Sequence, residues 1–207
     1  MAGLAGLAIE KGIKVTGQDK AYYPPMSTQL KKIGIMENCT EEPIEELINS
    51  DSVIIGNSQS RGNKSVEYIL SNNINYYSGP QWIKDNILKN KFVFAVSGTH
   101  GKTTTTSMLI KILSHCGYNP GFLVGGIYKE DEVSFKYSDS EYFIIEADEY
   151  DTSFFDKRSK FIHYNPNTLL INNLEFDHSD LFDNLEQIKK QFHFLIRSMP
   201  ENTNIVY

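Results

Sequence analysis

The sequence predicts an α/β fold in which helices alternate with the strands of a mostly parallel sheet. Three apolar runs of strand type, at 92–97, 142–145 and 168–171, are followed by glycine or polar residues. Segments with helical spacing of apolar residues separate these runs, as in chains that fold into α/β layers. The polar stretch 89–91 precedes the first run. We therefore predict two domains, residues 1–90 and residues 91–207.

The composition is that of an ordinary globular chain. Hydrophobic residues make up 40% of the sequence, charged residues make up 22%, and the formal net charge is −6. Without a long basic run, this balance argues against nucleic acid as the main partner. No stretch has the apolar length of a membrane span, and Cys39 and Cys116 stand alone, without metal-binding spacing. We expect a cytoplasmic protein with no nucleic-acid partner and no membrane association.

The first ninety residues have the pattern of a Rossmann-like domain whose first strand is missing. Residues 3–11 have the small and apolar side chains of a helix that packs on a sheet, and 14–17 read as a short strand that ends near Asp19. In a dinucleotide-binding fold, a strand and a glycine-rich loop precede this helix. We therefore expect an N-terminally truncated Rossmann-like domain.

Polar residues after the strand predicted at 52–56 are candidates for substrate binding. They are Asn57, Ser58, Arg61 and Asn63, and Asp19 joins them at the end of the earlier strand. Ligands of open α/β sheets bind in the crevice at the carboxyl ends of the strands. A solvated polar loop explains the same residues equally well.

Periodicity and turn residues place the remaining elements. In the first domain, helices are predicted over 27–34, 41–49, 65–72 and 80–88, and a strand over 75–78. The last of these helices contains Trp82, which is predicted to be a packing residue. In the second domain, we predict helices over 104–116 and 184–199 and strands over 122–124 and 205–207.

The strand at 92–97 leads into a turn with the residues of a phosphate-binding loop, Gly98-Thr99-His100-Gly101-Lys102-Thr103-Thr104. Glycines let phosphate oxygens approach backbone N–H groups, and the N-terminus of the following helix adds partial positive charge. Lys102 is placed to reach the β- and γ-phosphates, and the Thr103 hydroxyl to hold Mg²⁺. The common pattern has a glycine where this chain has Val96, so an ordinary strand-to-helix turn is the alternative.

The strand at 142–145 leads into four acidic residues within six positions, Glu146, Asp148, Glu149 and Asp151. A carboxylate at a strand end near a phosphate loop is the usual partner of Mg²⁺. We favour Glu146 because it comes first after the strand. A solvated acidic loop is the alternative.

The strand at 168–171 leads into Asn173 and, further on, His178 beside Asp177. This position allows His178 a metal or phosphate role, although a lone histidine is more often structural. In a parallel sheet, all three strand ends share one edge. The residues alone indicate a nucleotide-using protein with Mg²⁺, and leave an ATPase, a kinase and an ATP-dependent ligase as alternatives.

Three motifs at the strand ends resemble those of the Mur ligase family. They are the loop 98–104, Glu146-Ala147-Asp148-Glu149, and Asn173-Leu174-Glu175-Phe176-Asp177-His178. The loop of that family lacks the earlier glycine, in agreement with Val96. The resemblance implies a domain that binds a UDP sugar, a P-loop central domain that binds ATP, and a third domain that helps to place the amine substrate. We expect the end of the central domain and the whole third domain to be absent here.

The resemblance also implies roles for individual residues. Lys102, Glu146 and His178 would be catalytic, with Thr103 and Glu146 binding one Mg²⁺ and His178 a second. ATP would be held by Asn173 and by the loop residues Gly98, Thr99, His100, Gly101, Lys102, Thr103 and Thr104.

Within the family, the Glu-Ala-Asp-Glu segment occurs in two branches. Segments 23–28, 78–82 and 149–161 resemble the branch that joins a recycled tripeptide, L-alanyl-γ-D-glutamyl-meso-diaminopimelate, to UDP-N-acetylmuramate through an acyl phosphate. The branch that adds L-alanine to UDP-N-acetylmuramate is the near alternative. A nucleotide-binding module without ligase activity is the other. We expect the 207-residue chain alone to bind nucleotide weakly and to be inactive.

Overall fold

The computed structural model describes residues 1–35, 37–130, 132–175 and 184–207. The helices are α1 Ala2–Glu10, α2 Met26–Lys32, α3 Glu45–Ile48, α4 Lys64–Ser71, α5 Gly79–Ile83, α6 Lys102–His115 and α7 Leu185–Ser198, with a π-helix at Lys84–Leu88 and a 3₁₀ helix at Lys160–His163. The strands are β1 Gly17–Asp19, β2 Glu37–Cys39, β3 Val53–Ile55, β4 Tyr76–Ser78, β5 Phe92–Ser97, β6 Gly121–Tyr128, β7 Val133–Lys136, β8 Tyr142–Glu146, β9 Thr168–Ile171 and β10 Asn204–Val206.

Six strands form one sheet in the order β10-β9-β5-β8-β6-β7. All neighbouring pairs are parallel except β6 with β7, which confirms the predicted mostly parallel sheet. Val96 of β5 lies opposite Glu146 of β8 on one side and Leu170 of β9 on the other. The carboxyl ends of these three strands therefore share one edge of the sheet.

Helices cover both faces of this sheet. Successive side chains of β5 point to opposite faces, and those on each face are buried in a different core. Val93 and Ala95 belong to a large core shared with α7, whereas Phe94 packs with a smaller core under α6. The amphipathic helix α7 buries Ile188, Phe192 and Leu195. Each fully buried side chain of this size contributes roughly 1.5–3 kcal/mol from leaving water, so the sheet is fixed from both sides.

The first ninety residues contain two separate two-stranded parallel sheets, β1 with β2 and β3 with β4. Strand β1 begins at Gly17, so the strand predicted at 14–17 was placed too early. The helix predicted over 41–49 is reduced to the four residues of α3. Strands β2 and β7 had no counterpart in the sequence prediction. Strand β2 has no apolar and polar alternation, whereas the alternating residues of β7 were an available signal that the prediction missed.

Helix α1 packs directly on the β6–β7 hairpin, so the first ninety residues and the large sheet share one core. A Cβ on Gly3 would lie 2.7 Å from Leu123 Cδ1, and a Cβ on Gly6 would overlap the ring of Phe135. Phe135 is itself only 2% exposed. Small residues at these positions are what allow the helix to approach this closely.

The 3₁₀ helix joins the same core through Phe161, and its last residue, His163, contacts α5. This histidine is 3% exposed. Its Nε2 lies 3.1 Å from Asp156 Oδ2 and its Nδ1 lies 3.2 Å from Gln81 Oε1 of α5. Trp82, next to Gln81, is buried in the large core, which confirms its packing role.

Among the helices in the described ranges, none has the length and apolar composition that crossing a bilayer requires.

Replacing Gly6 by alanine should destabilise the fold by about 1–3 kcal/mol, because the new methyl group overpacks the Phe135 site. In a free helix the same change would stabilise by about 0.5–1 kcal/mol. Urea unfolding of the wild type, Gly6→Ala, Phe135→Leu and the double variant measures this. Gly6→Ala should cost less in the Phe135→Leu background, and an equal or greater stability of Gly6→Ala itself would contradict the packing argument.

Acidification should destabilise the protein in part through His163. Burial lowers the pKa of this imidazole, Arg158 acts in the same direction, and Asp156 opposes them. The unfolded chain, with an ordinary pKa of 6.5, takes up a proton that the folded protein does not. The stability that results is present above this value and is lost as the pH falls below it.

Between about pH 7.5 and about pH 5.5, the melting temperature should therefore decrease less for His163→Gln than for the wild type. His193→Gln, at an exposed position of α7, is the matched control and should behave like the wild type. An equal fall for all three proteins would refute the contribution of His163.

Candidate functional site

The turn between β5 and α6 depends on two glycines with positive φ. Gly98 has φ 132° and Gly101 has φ 77°. A Cβ on Gly98 would lie 3.0 Å from both the backbone N and the backbone O of Asn173. A larger residue at position 98 would therefore be strained and would push away the segment after β9.

Asn173 braces this turn from the neighbouring strand. Its backbone O accepts a hydrogen bond from Thr99 N at 3.0 Å, and its Oδ1 accepts one from His100 N at 2.8 Å. Thr99 Oγ1 in turn donates to Glu175 O at 3.0 Å and accepts from Glu175 N at 2.9 Å. In this conformation the N–H groups of Thr99 and His100 face protein, so Asn173 shapes the turn.

Asn172 adds a second brace that the sequence analysis missed. Its Nδ2 donates to Thr105 Oγ1 of α6 at 2.9 Å and lies 3.3 Å from His100 O. Its position one residue before the predicted Asn173 was the available signal, since two adjacent amides follow the strand.

Lys102 is the first residue of α6, and its side chain folds back over the turn. The Nζ atom lies 2.7 Å from Gly98 O, 3.3 Å from Thr99 O and 3.4 Å from Glu149 Oε2. The helix begins with N–H groups that have no partner inside the helix. A cation and the N–H groups at the start of a helix are the elements of an anion-binding site.

Glu146 lies beside the next residue of the helix, Thr103. Its Oε2 accepts hydrogen bonds from Thr103 Oγ1 at 2.9 Å and from Gly125 N at 2.8 Å. The space around it is limited by Gly125 and Gly126, where a Cβ would lie 2.9 Å from Glu146 Oε1 and 3.2 Å from Thr103 Cγ2. The sequence analysis gave this Gly-Gly pair no role, although it follows directly on an apolar strand segment.

A hydroxyl and a carboxylate at this distance form a donor set that suits Mg²⁺. This ion takes few protein ligands and keeps waters and phosphate oxygens in an octahedral shell. Within the described ranges, no group of three histidine, cysteine or acidic side chains could hold a metal ion. Thr103 and Glu146 therefore fit an ion whose other ligands come from phosphate and water.

The other acidic residues of this segment have different neighbours. Asp148 Oδ2 lies 3.0 Å from Lys160 Nζ, and Asp151 Oδ2 lies 3.0 Å from Lys157 Nζ. The structure thus brings Glu146, and neither Asp148 nor Asp151, next to the Thr103 hydroxyl. The metal role of Glu146 stays a prediction.

Tyr164, which the sequence analysis did not consider, lies buried near the acidic segment. Burial, followed by the negative charges of Asp148 and Glu146, raises the pKa of its phenol far above the ordinary value. The phenol therefore remains neutral and adds no further negative charge to this edge of the sheet.

His178 lies outside the described residues, so its predicted metal role stays a prediction. The candidate substrate residues of the first ninety lie at the ends of β1 and β3. Gln59 Nε2 lies 3.5 Å from Asp19 Oδ1 and connects the two strand ends. Asn57 and Ser58 are both exposed in the turn after β3.

Arg61 and Asn63 make local contacts in this structure. Arg61 forms a two-point ion pair with Glu67 at 2.8 and 3.0 Å, and this pairing lowers the pKa of Glu67 to about 2. Asn63 caps α4 by accepting a hydrogen bond from Val66 N at 3.1 Å. Both contacts explain these residue types without a ligand, and substrate binding by them stays a prediction.

Two protein-family models match the chain. The model described as "Mur ligase family, catalytic domain" matches residues 1–90, and the "Mur ligase middle domain" matches residues 96–207.

A curated ligase of Haemophilus influenzae, named UDP-N-acetylmuramate–L-alanyl-γ-D-glutamyl-meso-2,6-diaminoheptandioate ligase, is 54% identical over 97% of this chain and 44% of its own length. A UDP-N-acetylmuramate–L-alanine ligase of Syntrophomonas wolfei is 32% identical over the whole chain and 43% of its own length. The chain thus spans less than half the length of these relatives.

Among solved structures, the UDP-N-acetylmuramate:L-alanyl-γ-D-glutamyl-meso-diaminopimelate ligase from Neisseria meningitides superposes with a TM-score of 0.92 at 47% identity, over 99% of this chain and 66% of that one. The fold of this solved structure thus agrees with the two family models. The chain belongs to the Mur ligase family.

Proposed function

We propose that the protein is an ATP-dependent ligase that joins the tripeptide L-alanyl-γ-D-glutamyl-meso-diaminopimelate to UDP-N-acetylmuramate in peptidoglycan recycling. The observation that carries the proposal is the 54% identity to a ligase of that name. We call the turn at residues 98–101, which Asn173 braces, the phosphate turn. This turn and the Thr103–Glu146 pair would supply the groups that such a reaction needs. Because ATP and the UDP sugar are cytoplasmic metabolites, we place the protein in the cytoplasm.

The reaction requires activation of a carboxylate, because its oxygen is a poor leaving group. ATP transfers its γ-phosphoryl group to the muramyl carboxylate, the tripeptide amine attacks the acyl phosphate, and inorganic phosphate leaves. The protein must mainly position these groups and neutralise charge on the transferred phosphoryl. Lys102 and the N–H groups at the start of α6 would bind the terminal phosphates of ATP.

Thr103 and Glu146 would hold a Mg²⁺ ion at the phosphates, and His178 a second ion. The bound ion would neutralise charge on the phosphate oxygens. Glu146 is already fixed by Thr103 and by the Gly125 N–H, so it can meet a metal with little rearrangement.

For the two parts of the chain we propose separate roles. Residues 1–90 would bind the UDP sugar, with Asp19 and residues 57–63 at its strand ends, and residues 91–207 would bind ATP. The boundaries of the two family models, 1–90 and 96–207, support this division. The matched relatives are longer, so the complete reaction is proposed for the full-length protein.

The near alternative is the addition of L-alanine. L-alanine ligases are matched over 93–100% of this chain at 31–35% identity, whereas the tripeptide ligases are matched at 53–54% identity. This difference favours the tripeptide.

With ATP and UDP-N-acetylmuramate, the full-length protein should incorporate the tripeptide and not L-alanine. Lys102→Ala should lower kcat by at least about 100-fold, because it removes a charge that stabilises the transferred phosphoryl. Product formation is followed by mass spectrometry and phosphate release. Lys189→Ala, on the exposed surface of α7, is the control and should be fully active. Incorporation of L-alanine alone, or unchanged turnover of Lys102→Ala, would overturn the proposal.

Glu146→Gln should raise the Mg²⁺ concentration required for half-maximal turnover by about tenfold or more, because the amide is a weaker metal ligand. Asp151→Asn removes the same charge five residues away and should leave the Mg²⁺ requirement close to that of the wild type. Titrations of turnover with Mg²⁺ compare the three proteins. Equal shifts for both variants would show a general effect of charge and would exclude Glu146 as the ligand.

A further inference from the structure

We propose that Glu149 is a positioning residue for Lys102. It holds the ammonium group folded back on the phosphate turn when no phosphate is bound, and the nucleotide must draw the ammonium away. We call the contacts of Lys102 with Gly98 O, Thr99 O and Glu149 the resting position. The part of this inference that concerns nucleotides rests on the proposed function, whereas the resting position itself does not.

The resting position is well enclosed. The side chain of Lys102 is 13% exposed and that of Glu149 is 2% exposed, with 3.4 Å between Nζ and Oε2. Opposite charges interact much more strongly away from water than at the surface, where such pairs contribute little. The two carbonyl contacts at 2.7 and 3.3 Å complete a set of three oxygens around the ammonium.

The neighbouring acids do not share this task. Glu146 accepts from Thr103 Oγ1 and Gly125 N, while Asp148 is paired with Lys160. One short segment thus directs three carboxylates at three different partners. Its third carboxylate, Glu149, faces the lysine of the phosphate turn.

The consequence is a competition between Glu149 and phosphate. When Lys102 turns to a β-phosphate, a positive charge moves away from a carboxylate that is almost wholly buried, which is unfavourable. Glu149 therefore lowers the affinity for nucleotides whose phosphate chain reaches Lys102. A monophosphate does not reach this lysine, so its affinity should not depend on Glu149.

The resting position can be tested without nucleotide. The protein is treated with limiting acetic anhydride, and acetylation of each lysine is followed by mass spectrometry. Glu149→Gln should increase the rate of acetylation of Lys102 about threefold or more, because the amide holds the ammonium less firmly. Lys189 and Lys190 serve as internal controls, and Asp151→Asn as the matched variant. An unchanged rate at Lys102 would overturn the resting position.

The competition is tested by the binding of fluorescent ADP and AMP derivatives. Glu149→Gln should bind the ADP derivative about three- to tenfold more tightly than the wild type, with unchanged affinity for the AMP derivative. In a Lys102→Met background, Glu149→Gln should have no effect, since it acts through the lysine. Glu149→Asp keeps the charge on a shorter side chain, so its affinity for the ADP derivative should lie between those of the wild type and Glu149→Gln. If Glu149→Gln does not fold, Glu149→Asp takes its place in this comparison.

The competition would be overturned if Glu149→Gln bound the ADP derivative no more tightly than the wild type. It would also be overturned if Glu149→Gln raised this affinity equally in the Lys102→Met background. If the wild type binds neither derivative, the proposed nucleotide function fails, and the acetylation result still decides whether Glu149 holds Lys102.

Discussion

The parallel pairing of β5 with both β8 and β9 is the constraint on which the rest of this structure depends. It fixes Val96 between Glu146 and Leu170, so three chain segments that are distant in sequence leave the sheet at one edge. Hydrogen bonds then connect them: Asn173 to the turn after β5, and Glu146 to the start of α6. The candidate site is therefore a property of the sheet register. A slip of one residue would turn these side chains to the other face.

The sequence predicted those parts of the candidate site that depend on a single short stretch of the chain. The strand β5, its glycine turn and helix α6 form a continuous pattern. Glu146 could be selected because it comes directly after the apolar run 142–145, and it is the last residue of β8. The bracing of the turn could not be predicted in the same way. It depends on the backbone N–H of Thr99 and His100 meeting Asn173, and backbone groups carry no sequence signal. The pairing of Lys102 with Glu149 joins the start of α6 to the segment after β8. It could not be predicted without knowing how β5 pairs with β8.

The division into two parts was predicted from composition, yet the structure joins them through a shared core. Residues Leu4 and Leu7 of α1 lie in the same cluster as Val93 and Phe143 of the large sheet. A further connection is Gln29 Oε1, which accepts hydrogen bonds from Ser134 N and Ser134 Oγ in a buried environment. The sequence showed that α1 has small residues suited to close packing, but not which sheet it would approach. In this protein it packs on the β6–β7 hairpin.

The charge balance at the sheet edge determines how the proposed phosphate site would work. Glu146 is the last residue of β8, and Asp148 and Glu149 follow within three positions. Their negative charges would oppose a polyphosphate at close range. Lys160 offsets Asp148 and Lys102 offsets Glu149, whereas Glu146 is held by a hydroxyl and an N–H. An incoming metal ion would bind phosphate and the Glu146 carboxylate together. In the proposed function, the segment that would repel the free anion would favour its metal complex, so metal and nucleotide should bind cooperatively.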